Sequence, residues 1–209
     1  MESHPQVVIG VVCWIPDNIM LPELKRCLDS LVEFDVILVN GKWDDIKGDN
    51  PRSTLEAQIV IDSYANVTHI LSPNKSEAHN RNIYLENTNA DFLFWVDTDE
   101  YIEMPLGKEF FIRGIADLFK KDDYSSQVHS YVHQENGKIN MGKQKRLIQY
   151  PNKMRHRDKH NKLYFGDKEI LANEIKYHAP RGLIVHADKN FRTKEREQQM
   201  LNRIEGITV

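Results

Sequence analysis

The residues best suited to chemistry are Asp97-Thr98-Asp99-Glu100, which follow the apolar run Phe92-Leu93-Phe94-Trp95-Val96 without a gap. A carboxylate pair at the tip of a buried strand is unfavourable unless a cation or hydrogen-bond donors compensate it. Oxygen ligands of this kind suit hard divalent ions such as Mg2+ and Mn2+, which typically share them with substrate phosphates. The chain holds sixteen aspartates, so an Asp-x-Asp spacing is expected by chance roughly once, and the preceding strand carries the information. A solvated acidic turn that caps the next helix is the plainer alternative. Other patterns are weaker. Lys143 to Lys162 contains eight Lys or Arg residues and a single acid, Asp158. His129, Tyr131, His133 and Glu135 alternate onto one strand face, which reads as an exposed polar face before it reads as a metal site. His186 follows Leu183-Ile184-Val185, a place where a histidine packs or caps.

Strands and helices must bring such groups together. Val7 to Ile15 is continuously apolar and β-branched apart from Gly10, the pattern of a strand buried on both faces. Leu21, Leu24, Leu28 and Leu31 recur at helical spacing behind Pro22, and Val36-Ile37-Leu38-Val39 forms the next strand, completing a βαβ unit. Asn40 to Asp45 is a turn at that strand's carboxyl end. A helix is expected over 54–64 through Leu55, Ile59 and Val60, a strand over 67–71, a helix over 77–87 and a strand over 92–96. This alternation predicts an α/β fold with a mainly parallel central sheet and helices on both faces, where ligands bind at the carboxyl ends of strands. Residues 127–134 and 145–150 alternate as half-exposed strands around a turn at 135–138, a smaller antiparallel addition. A short strand over 182–186 and a polar helix over 193–204 follow.

The chain has 209 residues, 40% hydrophobic and 28% charged, with a formal net charge of -3. That suits one globular domain and excludes a global basic surface for nucleic acid or acidic membrane. Cys13 and Cys27 provide no disulfide framework or CxxC knuckle. The early apolar run is too short to span a bilayer and lacks a positive flank, so the expected compartment is the cytoplasm, with peripheral membrane contact and a homodimer left open.

The segment Ser76-Glu77-Ala78-His79-Asn80-Arg81-Asn82, followed by Asn89-Ala90-Asp91 and Phe92 to Glu100, resembles the block of family-two glycosyltransferases in which an Arg-Asn helix precedes an apolar strand ending in Asp-x-Asp-Glu. Val7 to Pro16, Val39 to Asp44, Arg146-Leu147-Ile148 and Ile184-Val185-His186 are similar to other strands of that family. The resemblance implies a GT-A fold as a single domain over residues 1–209 and a hexosyl transfer from a UDP- or GDP-linked sugar with Mn2+ or Mg2+. The acceptor would be a glycan, a lipid-linked molecule or a protein. Asp99 would ligate the metal. Asp97 would contact the ribose, or the metal through water. Trp14, Asn40, Asp44 and Arg81 would help form the donor site, and His186 would be a third metal ligand.

The chain departs from the family in having Asn40 where an aspartate is usual, with Asp44 matching a later acidic position. The family's later His-Glu pair finds only His160-Asn161. An inverting transfer needs a carboxylate base, and Asp158 ranks first among Asp158, Asp167, Glu169 and Glu174. The basic stretch admits three readings: a solvated loop, a loop closing over a diphosphate or an anionic acceptor, and a nucleic-acid strip, which the net charge and absent motifs disfavour. Two competing functions stand beside the transferase: a non-catalytic nucleotide-sugar-binding module of the same fold, and a nucleotidyl or phosphoryl transferase. The latter should carry a glycine-rich loop after the first strand, where Cys13-Trp14-Ile15-Pro16 stands.

Overall fold

The structure, a computed structural model, describes residues 5–43, 51–118, 125–133, 139–157, 162–170 and 184–188. In chain order the elements are β1 (Val7–Cys13), α1 (Leu21–Asp29), β2 (Asp35–Asn40), α2 (Leu55–Asp62), β3 (Val67–Leu71), α3 (Glu77–Glu86), β4 (Phe92–Asp97), β5 (Glu100–Glu103), α4 (Lys108–Leu118), β6 (Ser125–His133), β7 (Ile139–Gln149), β8 (Met154–His156), β9 (Leu163–Phe165), β10 (Lys168–Glu169) and β11 (Ile184–Asp188). Local chemistry starts the helices where the sequence expects them: Pro22 occupies the first turn of α1, and the Thr54 and Ser76 hydroxyls accept from the Ala57 and His79 amides.

Among the described residues one sheet has eight strands in the order β3-β2-β1-β4-β7-β6-β11-β5, and a second has three in the order β10-β9-β8. β3, β2, β1 and β4 run parallel. β7 joins β4 antiparallel and β6 joins β7 antiparallel, while β11 is parallel to β6 and antiparallel to β5. The α/β class, the parallel first half and the antiparallel addition are thus as the sequence predicts.

Alternation along β1 divides the core between the two faces. Ile9, Val11 and Cys13 pack with Leu24, Cys27 and Leu28 of α1, Ala57 and Ile61 of α2, and Phe111 of α4. Val8 and Val12 pack with Tyr84 and Leu85 of α3. Gly10 lies on this second face, and a β-carbon there would come within 2.9 Å of the Tyr84 ring. The missing side chain is what admits the tyrosine.

Some expectations need correction. α2 buries Ala57 and Ile61, with Val60 partly buried against the same core, and leaves Leu55 and Ile59 67% and 61% exposed, so its core face is opposite to Leu55 and Ile59. β7 begins at Ile139 rather than 145, and β11 spans Ile184–Asp188 rather than 182–186. β5, α4 and the small sheet were not expected. The helix predicted over 193–204 and the turn at 135–138 lie outside the described residues.

Candidate functional site

β4 directs Leu93 and Trp95 to the α3 face, and with a period of two Asp97 follows them. There it meets Arg81, which is nearly fully buried on α3. Arg81 Nη2 donates to Asp97 Oδ1 at 3.0 Å and to Glu77 Oε1 at 3.0 Å, Nε donates to Glu77 at 3.2 Å, and Nη1 donates to the Tyr84 hydroxyl at 3.3 Å. Its guanidinium carbon lies 5.6 Å from the Trp95 ring centre. Glu77 and Arg81 are one helical turn apart, the spacing at which such pairs meet.

Arg146 arrives from β7 with its side chain 1% exposed. Its Nη2 donates to Glu100 Oε1 at 2.6 Å, and Nη1 lies 3.6 Å from Asp97 Oδ2 and 3.5 Å from the Trp95 carbonyl oxygen. Glu100 Oε2 accepts from the Asp97 amide at 2.9 Å, closing the turn that contains Thr98 and Asp99. From the other face, the Cys27 thiol reaches the Asp97 carbonyl at 3.7 Å. The Asp97 carboxylate is therefore addressed by a guanidinium at each oxygen, and its backbone is tied at both ends of the residue. Asp99 is half-buried in the turn itself.

Burial pushes the Glu100 carboxyl up to about 8, against the pull of Arg146, and the charges of Asp97 and Asp99 add to the rise. Burial opposes the charge on Arg81, yet the Tyr84, Asp97 and Glu77 oxygens raise its pKa further above the ordinary value. The Tyr84 hydroxyl is pushed up to about 12 by burial, opposed by Arg81. Glu77 and Asp97 pair with Arg81, Asp97 and Glu100 pair with Arg146, and burial favours the protonated form of Glu100.

Asn40 has a different environment from the one expected. It is fully buried. Its Oδ1 accepts from the Ser53 hydroxyl at 2.5 Å, and its Nδ2 lies 3.0 Å from His69 Nε2, whose Nδ1 is 2.6 Å from Asp62 Oδ1. Ser53 Oγ in turn accepts from the Ile15 amide at 2.9 Å. Asn40 pairs in register with Cys13, whereas Asp97 pairs with Val12. Neighbouring positions of β1 point to opposite faces, so Asn40 and Asp97 share the carboxyl edge of the sheet and not one face. Strand spacing sets their backbones about 10 Å apart. Next to Asn40, Gly41 permits close approach: a β-carbon would fall 2.5 Å from the Ser72 carbonyl oxygen.

His186 lies close in the sheet to the Asp97–Asp99 turn, two residues from Asp99 by its register on β5, with its described contacts on the Tyr101–Glu103 side. It stands opposite Tyr101 in the β11–β5 ladder, its ring stacked on that of Tyr101 at 4.7 Å and 10°, with Nε2 3.2 Å from Glu103 Oε2. Glu103 lies on the side of Tyr101 away from the turn. Among the described residues, no three His, Cys, Asp or Glu side chains are arranged to share a metal ion. Asp44 and Asp158 lie outside the described residues. Trp14 follows β1 at the same sheet edge and is 6% exposed. Its indole Nε1 and the amide of fully buried Asn80 have no hydrogen-bond partner among the described residues. Buried polar groups of this kind normally bond water or a ligand.

Sequence reasoning singled out Asp97, Asp99 and Arg81 but missed the parts of Glu77, Tyr84, Glu100 and Arg146. The helical spacing of Glu77 and Arg81 was a readable signal, as was a lone arginine opening the apolar pair Leu147-Ile148. The residues present fit a hard divalent ion in kind, since Asp97 and the half-buried Asp99 offer carboxylate oxygens at the turn.

No family model and no curated protein matches the chain. Solved structures do. Over 64% of its length the chain is similar to residues 1–349 of S. aureus TarS, with 21% identity, a TM-score of 0.40 and 37% of that chain covered. The same TarS segment in complex with UDP-GlcNAc gives 19% identity, 65% and 37% coverage and a TM-score of 0.43. The mannosyltransferase PcManGT from Pyrobaculum calidifontis, in complex with GDP-Man and Mn2+, gives 15% identity, 61% and 36% coverage and a TM-score of 0.45. The chain therefore spans little more than a third of the length of these solved chains.

Proposed function

We propose that the chain is a GT-A-like glycosyltransferase domain that binds a nucleoside-diphosphate sugar, UDP- or GDP-linked, together with Mn2+ or Mg2+. The observation that carries this reading is the Asp97-Thr98-Asp99 turn at the carboxyl end of a parallel strand, with Asp97 held between Arg81 and Arg146. Asp99 would hold the ion, with Asp97 oriented toward the donor. Once bound, such an ion neutralises charge on the departing diphosphate. The chain's own residues fix the Asp97 carboxylate, with Arg81 and Arg146 behind it on the α3 and β7 sides. The transfer is proposed to invert the anomeric centre, with a carboxylate taking the proton of an acceptor hydroxyl on a glycan, a lipid-linked molecule or a protein, and Asp158 as the first candidate for that base. A non-catalytic nucleotide-sugar-binding module is the second reading, favoured by the sealing of Asn40 into an internal network.

The first prediction tests the donor and the metal together. Melting temperature measured with UDP-, GDP-, CMP- and dTDP-sugars should rise with one of them in Mn2+ and not in chelator, because ligand binding to the native state stabilises it by mass action. Asp99→Ala should abolish the metal dependence. Equal stabilisation with Mn2+ and chelator would sink the reading. Hydrolysis of the bound donor in the absence of acceptor separates the transferase from the binding module.

A further inference from the structure

We propose that Arg146, set in place by a bulge in β7, is a positioning residue that holds the Asp97 carboxylate for the donor and its ion, acting with Glu100; this rests on the transferase reading above. Of the two ladders that flank β7, one ends just before this residue and the other shifts register across it. Pairing with β4 ends at Phe94 opposite Leu147. Pairing with β6 passes from Ser126 opposite Leu147 to Gln127 opposite Lys145 and skips Arg146. A residue left out of the ladder in this way is re-aimed, and bulges of this type recur beside active sites. Here the result is a nearly fully buried guanidinium with one nitrogen on Glu100 and another toward Asp97 and the Trp95 carbonyl oxygen. Because Arg81 holds the other Asp97 oxygen, the carboxylate is fixed in plane, and Glu100 holds its backbone amide. A planar, forked cation can address two acceptors at once, and an ammonium cannot do so with fixed geometry.

The test is calorimetric titration of the full chain with UDP and with GDP in the presence of Mn2+. Stoichiometry reports the folded fraction and Kd reports the site, so a structural defect and a positioning defect appear in different parameters. Arg146→Lys keeps a positive charge beside Glu100, and the double variant Arg146→Met with Glu100→Gln leaves no charge stranded. Both are expected to bind at wild-type stoichiometry with Kd raised about tenfold or more. A folded variant of either kind with unchanged Kd overturns the proposal. So does a variant whose only change is a lower stoichiometry or melting temperature. If the wild-type chain binds neither nucleotide, the transferase reading itself fails, and that is seen before any variant is made.

Discussion

Asp97 shows how much chemistry a single position in this chain concentrates. The sequence marks it through the apolar strand before it, but no spacing rule reveals that its partners come from position 81 on a helix and position 146 on a strand added later in the chain. Glu100 belongs to the same group and carries a consequence for stability. Its folded-state pKa, pushed up to about 8 by burial, lies above its ordinary value of 4.5. The folded protein then retains a proton that the unfolded chain has released, so the stabilisation is complete below about 4.5 and declines as pH rises toward 8. Glu100→Gln cannot release that proton. The melting temperature of the metal-free wild type, relative to that of this variant, should therefore fall between pH 5 and pH 8.5. Parallel melting curves across that range would remove Glu100 as the cause.

At the level of elements, the site depends on how closely α3 lies on β1. Tyr84 sits in the space left by Gly10, and its hydroxyl accepts a hydrogen bond from Arg81 Nη1, so the tyrosine carries the fit of the helix into the site. Gly10→Ala should cost about 1–3 kcal/mol, the usual penalty for overpacking, and should also weaken metal-dependent nucleotide binding through Arg81. Denaturant unfolding and the nucleotide titration read the two effects separately; a stable variant with a normal site would show that Tyr84 moves aside without consequence. The strands and helices of the first half were legible because each is a long periodic run ending in a turn or cap. α2 was misread in orientation, since its sequence is apolar on more than one side and only the fold decides that Ala57 and Ile61 face inward. β5 was illegible for a different reason: at four residues, with glutamates at both ends, it has no pattern of its own and forms because β11 pairs with it.

Across the whole molecule, the described sheet joins a parallel half, read almost entirely from local sequence, to a mixed half whose order no local pattern encodes. β11 makes the outer part of that join, lying between β6 and β5 although about eighty residues separate it from β5 in the chain. Pairings of such long range carry no sequence signal beyond a short apolar run, which is why His186 was readable as a strand-end residue and its partners were not. The contacts described for it suit a structural role, and the ligand role is the alternative to be tested. The side chain is 13% exposed, stacked on Tyr101, with Nε2 toward Glu103, and Arg26 of α1 lies 4.7 Å from the centre of the same Tyr101 ring. The histidine thus helps tie β11 and β5 to α1. His186→Ala should then destabilise the metal-free chain by roughly 1–3 kcal/mol, a fall of about 2–4 °C in melting temperature per kcal/mol for a protein of this size. The relative affinities of the variant for Mn2+ and Mg2+ should match those of the wild type. A ligand histidine gives the opposite result, because loss of one nitrogen from an otherwise oxygen-rich shell lowers Mn2+ affinity more than Mg2+ affinity. An unaltered melting temperature with selective loss of Mn2+ binding would therefore place His186 in the metal site.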